Sequence, residues 1–356
     1  MQFSRIYNFS YIMENYIYLA PDYFKDFVCK ADRCRHTCCS SWRIPVSRDE
    51  YNKLITMDCS DDLNRRVQST FIMPEFVSDE CYRYIAFNWL GCCPIQEKGL
   101  CNLYREKGED YIPKVCRLFP RSLKTINGVN VACCSGSCER VVEMLFECDD
   151  LNIQETSLNE KPQLTYNISD EDVEQIKKFN EIIKDRSTTL SYSLSEICRI
   201  INKKEFEKDY DSDEDPVKTG IELLEKLGQE NERLYELVSE MKDRYLNDHE
   251  KFFEDKAVFE SKYPKWMDFF ERLINNSMIY ECFPFVDKRA DKTRVYKGLC
   301  FCYGLLRLIC IYAGSKSSSD EELVDAISLL FHLIDHTSFY YNVSILSQNA
   351  AIMLKI

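Results

Sequence analysis

Fourteen of the nineteen cysteines fall between Cys29 and Cys148, and most of them follow an ordered pattern. The pattern opens as C-x4-C-x3-C-C-x2-W (Cys29, Cys34, Cys38, Cys39, Trp42). It continues with Cys93-Pro94 and Cys101, then Cys116-Arg117-x-Phe119-Pro120-Arg121, and closes at Cys138. Soluble domains use cysteine sparingly, and thiolates are soft ligands that take iron-sulfur clusters, zinc or copper(I), so this density predicts a metal or cluster site. A disulfide framework is the competing use, and it needs an oxidising compartment. The opening MQFSRIYNFSYIMENYIYLAPDYF carries one Arg and alternates polar with aromatic residues, where a secretory signal would place a basic start before an apolar run. The expected location is therefore the cytoplasm, with the thiols free as ligands. Met13 is an alternative start, and residues 1–16 read as an N-terminal extension.

Structural zinc usually sits between two tight C-x2-C knuckles, and the pattern contains none. Single cysteines spread along the chain converge more naturally on a larger cluster that accepts thiolates from several directions. Adjacent cysteines point to different sides of a regular backbone. One member each of Cys38/Cys39, Cys92/Cys93 and Cys133/Cys134 is therefore expected at a given metal.

In their combined order these residues resemble the flagellin lysine-N-methylases of bacteria. The likeness lies in Phe27 to Trp42, in Cys93-Pro94 with Gly99-Leu100-Cys101 and Tyr104, in Cys116 to Arg121, and in Cys138. It is strong over residues 17–150 and general over the helical remainder. The resemblance implies transfer of methyl groups from S-adenosylmethionine to lysine side chains of flagellin by an enzyme holding a 4Fe-4S cluster. It further implies Cys29, Cys34, Cys38, Cys39, Cys93, Cys101, Cys116 and Cys138 as the metal-ligand set. Eight thiols exceed the four of one cubane, so either some are structural or two metals bind. Cys92, Cys133 and Cys134 are additions to the family pattern, and Glu139 stands where a proline commonly follows the last cysteine. Part of the same succession occurs in small iron- or zinc-chelating proteins. That leaves a chelating or electron-transfer module, or a zinc-organised scaffold, as readings from other classes.

Two better-known methyltransferase signatures are missing. No G-x-G loop follows a strand, and the radical-enzyme loop C-x3-C-x2-C is broken by Ser41. Lysine methylation needs neither, because a neutral amine attacks the sulfonium methyl in line once it is desolvated, aligned and deprotonated. Arg117 and Arg121 are candidates to grip a cofactor carboxylate or to brace the loop beneath Cys116. Trp42, Trp89, Tyr82, Tyr84 and Tyr104 could hold an ammonium by cation–π contact or could simply pack. His332 and His336 have ligand spacing, although favourable charge at a helix C-terminus explains them better. Cys300, Cys302 and Cys310 read as buried hydrophobes.

The elements that must position these groups are mainly α-helical. At 356 residues, with 45% hydrophobic and 29% charged side chains, the chain can bury a sizeable core. Proline at 45, 74, 94, 113 and 120 breaks the cysteine region, so residues 17–150 read as a cluster-binding domain of short helices and ligand-bearing loops. ERVVEMLFE after Cys138 reads as a helix, 149–168 as a polar linker, and 151–356 as an acidic helical domain. Helices are expected from capping boxes at Ser169, Ser193 and Ser318, and from apolar periodicity over 221–245 and 323–334. Lys203 to Pro216 reads as a charged loop. Gly298 to Gly314 reads as a buried helix, containing Arg307 and short of a bilayer span. The net charge of -13 comes mostly from residues 151–356, with 27 basic against 38 acidic groups. That balance argues against a nucleic-acid partner, and no membrane segment is expected.

Overall fold

The computed structural model describes residues 15–35, 37–40, 42–89, 91–229, 231–285 and 291–356. Met13 and most of the expected extension lie outside them, and Tyr16 already opens a strand. The fold is mainly helical, with a long run of helices from Asp170 to Leu346. At its centre is Lys292–Lys316, whose residues are almost all buried from Val295 to Tyr312. Among the described residues this helix alone is long and apolar enough to cross a membrane, and 89% of its apolar window is buried inside the protein. It behaves as the core helix expected from the sequence, extended by a turn or more at its start. Close approach is made possible by glycine: a Cβ on Gly298 would stand 2.0 Å from the Tyr340 ring.

The helical boundaries follow local chemistry. Ser169 and Asp172 form the expected capping box, and Glu139–Glu147 is the expected helix after Cys138. The helix expected over 221–245 is two, Pro216–Leu227 and Glu232–Tyr245. Gly228 ends the first, and the Asn231 side chain caps the second by accepting from Leu234 N. Ser193 lies inside Leu190–Tyr210, which is capped by Thr189 instead, and that helix absorbs most of the expected charged loop. Asp320–His336 has Ser319, not Ser318, before it, with no side-chain cap.

A sheet appears that the periodicity did not reveal. Tyr16–Pro21 pairs antiparallel with Ile153–Leu158 and parallel with Val129–Cys134. Val129–Cys134 forms a hairpin with Arg121–Ile126, which pairs with Leu164–Tyr166. The hairpin turns at Asn127-Gly128, both with positive φ (46° and 81°), the conformation that Asn-Gly adopts most readily. The stretch read as a linker thus supplies two strands, the first alternating exposed and half-buried. Alternation over so few residues is easily mistaken for a polar loop.

The buried apolar residues form two clusters. One runs from Tyr18 in the sheet to Ile356 and includes Tyr23, Phe27, Leu118 and Val141. The other is small, built on Ile44, Val46, Leu54, Leu63, Val67, Ile85, Cys93, Ile95 and Leu103.

Candidate functional site

Four of the motif cysteines belong to the small core. Cys93 is one of its buried members, and Cys39, Cys101 and Cys116 pack against it. Backbone pairing draws them in: Cys93 N donates to Cys39 O at 2.8 Å, and Ser40 bridges to Cys92. The hairpin Gln96–Glu97/Leu100–Cys101 delivers Cys101 through a turn at Lys98-Gly99. Gly99 has φ 79°, and a Cβ there would stand 3.3 Å from Asp32 Cα, so the turn presses on the first cysteine loop. Cys116 rides on the short helix Lys114–Leu118.

Mutual electrostatics follow this grouping. Burial pushes the Cys93 thiol up to about 12, with Cys39 and Cys101 adding repulsion. Burial, then Cys39, Cys93 and Cys101, raise Cys116 further, and Cys101 rises through burial and Cys39. Cys39 alone is drawn down, to about 7, by the hydrogen bond from Cys38. A second neighbourhood contains Cys29, Cys34 and Cys138. Cys34 is pushed to about 12 by burial, Glu139, Cys138 and Cys29, and Cys138 to about 11 by burial, with Cys29 and Glu139 contributing. Cys38 lies between the two, raised by its bond with Cys39 and by burial, with Cys138 and Cys116 also near. Cys133 and Cys134 are both buried beside Tyr23, and Cys134 is close enough to Cys138 to be raised by it.

Assembled without a cation, such thiols resist ionisation. A metal reverses that balance, since a coordinating thiol is deprotonated outright. Two buried donors beside the ligands point the same way. Asn102, 0% exposed and adjacent to Cys101, has neither amide atom hydrogen-bonded, and Arg117 Nε, adjacent to Cys116, is buried without a partner. Orphaned buried donors need an acceptor, and cluster sulfurs accept N–H hydrogen bonds. Among the described residues no three Cys, His, Asp or Glu side chains converge tightly enough for one metal ion. Tetrahedral zinc holds its sulfurs within ~4 Å of one another, whereas four separate irons spread their thiolates over a wider cage. The unpartnered donors of Asn102 and Arg117 beside Cys101 and Cys116 are compatible with cluster sulfurs as acceptors.

The first loop is clamped to the helices. Lys30 Nζ lies 2.7 Å from carboxylates of both Glu139 and Glu143, Arg35 N donates to Glu139, and Arg35 Nε reaches Asp325 at 2.8 Å. Glu139, the departure from the family pattern, is thus the anchor of the Cys29–Cys39 loop. Trp42 Nε1 donates to Cys38 O at 2.8 Å, and its ring stacks on His336 at 5.1 Å, with Phe119 against both.

Beyond His336 lies a polar cluster that sequence reasoning missed. The Ser135-Gly136-Ser137 loop joins the strand Val129–Cys134 to Cys138, and its hydroxyls form a chain. Ser135 donates to Asp335, Ser135 and Ser137 stand 2.5 Å apart, and Ser137 meets His336 Nε2 at 2.9 Å. Asp335 Oδ1 is buried without a hydrogen bond. Burial raises the Asp335 carboxyl to about 7 and that of Glu281 to about 8, the latter also repelled by Asp335. His336 is lowered to about 3 by burial and by His332, so it is neutral. That corrects the expectation of a charged helix end: a ring stacked under Trp42 cannot be hydrated as a cation. The signal available in the sequence was acids set among apolar residues, Glu281 in MIYECF and Asp335 in FHLIDH.

The remaining candidates are dispersed. Arg117 Nη2 pairs with Glu160 at 3.1 Å, while Arg121 donates to Phe27 O at 3.3 Å and lies over the Phe27 ring. Trp89 is 93% exposed and Tyr104 57%, and Tyr82 stacks with Arg48 and Arg83. The five aromatics form no common channel. Cys300, Cys302 and Cys310 are buried hydrophobes, as expected.

The family model of the FliB lysine N-methylase C-terminal domain matches residues 138–349, more than half of the chain. The chain belongs to the FliB lysine N-methylase family. No curated protein and no solved structure matches it. The FliB match begins at the last motif cysteine and contains Glu281, Asp335 and His336. The cysteines that carry the resemblance in the sequence come almost entirely before it. Two separate stretches of this FliB-family chain therefore meet where Trp42 stacks on His336.

Proposed function

We propose that this FliB-family chain is a cytoplasmic, S-adenosylmethionine-dependent protein-lysine N-methyltransferase acting on flagellin, with a 4Fe-4S cluster in its cysteine core. One observation carries the reading: the end of Asp320–His336, inside the family match, packs directly on the Trp42 of the cysteine motif. The family-matched helices and the cysteine motif are therefore in direct contact, which supports placing them at one site. Cys39, Cys93, Cys101 and Cys116 are the set that would hold the cluster, with Asn102 and Arg117 donating to its sulfurs. When bound, a cubane held by three of these four thiols would leave one iron free to seat the amino and carboxylate groups of S-adenosylmethionine, the fourth thiol standing aside. The chain's own part is to exclude water with Trp42, Phe119 and His336, and to place acids that can take a proton from a lysine ammonium. Aligning the amine with a sulfonium methyl, in a site closed to water, accounts for most of what such a transfer requires.

The test is protein purified without oxygen, assayed for iron, acid-labile sulfide and zinc, with absorption spectra before and after S-adenosylmethionine. Mass spectrometry of flagellin incubated with both follows. About four irons and four sulfides, a perturbed spectrum and methylated flagellin lysines are expected. Zinc without sulfide would sink the cluster, and unmodified flagellin would sink the transferase.

A further inference from the structure

A cleft of about 390 Å³ runs from the surface to Glu281, between Tyr166, Phe285, Phe339, Tyr340 and Tyr341. That volume is in the range of small-ligand sites, and its walls and floor have a distinct chemistry. Aromatic faces attract cations and also pack against methylenes. Glu281 is half-buried and lines the cleft, and it is repelled by Asp335, whose carboxylate accepts from Ser135 through one oxygen and leaves Oδ1 without a hydrogen bond. Lys124, 6% exposed, is the cation facing both acids. Burial holds both carboxyls near neutral titration with Lys124 as the cation in range, so a second cation entering the cleft would favour the ionised carboxylate. A larger cleft, about 460 Å³, lies beside Phe146 and Trp266. There three of the four lining cations are already engaged, Arg186 with Glu271 at 2.7 Å, Arg272 with Leu145 O at 2.9 Å and Lys262 with Ser317 O at 2.9 Å.

We propose that the smaller cleft receives the side chain of the substrate lysine, its methylenes between the aromatic walls and its ammonium on Glu281, which takes the proton that must leave before methyl transfer. This rests on the methyltransferase reading and deepens it by naming the amine site. The N–H bond breaks as an O–H bond forms on Glu281. The freed lone pair then makes the N–C bond while the C–S bond of the sulfonium breaks, its electron pair staying on a neutral thioether. The groups facing Glu281 from its own and surrounding elements are Lys124, Asp335, Tyr166, Tyr280, Tyr340, Cys282 and Cys302. Two acids sharing one neighbourhood titrate as a pair, so one proton-accepting form is available near neutral pH.

The experiment compares wild type with Glu281→Gln for flagellin kcat/KM against pH and for n-butylammonium contact by saturation-transfer NMR. Circular dichroism and iron content serve as controls. A fall of ~100- to 10,000-fold in kcat/KM, loss of the ascending limb near neutral pH, and loss of butylammonium contact are expected. Wild-type rate, profile and amine binding in Glu281→Gln would overturn the proposal. Should that variant misfold, Ser338→Trp at the exposed cleft mouth must raise KM for flagellin, and an unchanged KM counts against the cleft. Wild type that binds butylammonium through Glu281 but leaves flagellin unmethylated keeps the amine site and removes the transferase reading.

Discussion

The two cores of this protein are built on opposite principles. The large one, from Tyr18 to Ile356, buries helix upon helix of aliphatic and aromatic side chains around Lys292–Lys316. The small one has nine buried residues, one of them Cys93, with Cys39, Cys101 and Cys116 at its edge. Apolar burial stabilises by ~25 cal/mol per Å², which suffices for the first and leaves little margin in the second after chain entropy. On the proposed reading a metal makes up the stability that a cysteine core of that size lacks. The fold would then divide into a part that specifies itself and a part completed by its ligand.

The sharpest way to break this contrast is to remove the metal. Chelation under reducing conditions, or Cys116→Ser, is expected to leave backbone amides of 44–116 without hydrogen-exchange protection. Amides of Lys292–Lys316 and Asp320–His336 should keep theirs, and helical circular dichroism should fall only slightly. Uniform loss across both cores, or full protection in both, would show that the cores are not independent in this sense.

The next effect belongs to the large core. Gly298→Val would drive new methyls into the Tyr340 ring, because even a Cβ at position 298 would lie only 2.0 Å from that ring. Overpacking of this kind costs ~1–3 kcal/mol. A lower melting temperature with unchanged iron content is expected. Since Tyr340 also lines the lysine cleft, KM for flagellin should rise in the same variant.

What the sequence made legible follows the same division. Helix periodicity over 323–334 and the apolar run at 298–314 were readable because burial repeats every turn. Ser169 announced its helix through a capping box, but Ser193 did not, because Thr189 four residues earlier offered the same hydroxyl. The cysteines were legible as ligands by type. Their division into neighbours of Cys39 and neighbours of Cys138 was not, since it depends on a hairpin at Gly99 and on Glu139 catching Lys30. The strands Ile153–Leu158 and Leu164–Tyr166 were hidden because they are sheet edges with exposed side chains. Asp335 and Glu281 were hidden because each is an isolated acid in the apolar last turns of its helix, and only tertiary packing brings them together.

A smaller effect sharpens the account of the cysteine core. Asn102 is fully buried with both amide atoms unpartnered, a state that costs ~1–3 kcal/mol. Asn102→Leu should therefore stabilise the metal-free protein by about that amount, read from the urea midpoint. In the loaded protein the amide donates to sulfur, so the gain should vanish and the reduction potential should move, as loss of a hydrogen bond to a cluster sulfur shifts it. Equal stabilisation in both states would mean that Asn102 faces no cluster.

The smallest expected effect is a pH dependence set where the two cores touch. His336 is lowered to about 3, while an unfolded histidine binds its proton near ~6.5, so the unfolded chain holds more protons between those values. Stability from His336 is full above ~6.5 and is lost as pH falls towards about 3. Asp335 and Glu281 act with the opposite sign. Their folded values are raised to about 7 and about 8, so their contribution is full below ~4 and declines as pH rises through those values. Between about 4 and 6.5 the two acids outweigh the one histidine, so urea midpoints should be highest near ~4 and decline as pH rises towards about 8. His336→Gln should steepen that decline below ~6.5 and Glu281→Gln should flatten it, each by a small shift in midpoint. If His336→Gln instead flattens the decline as Glu281→Gln does, the Asp335–Ser135–Ser137–His336 chain titrates as a single unit.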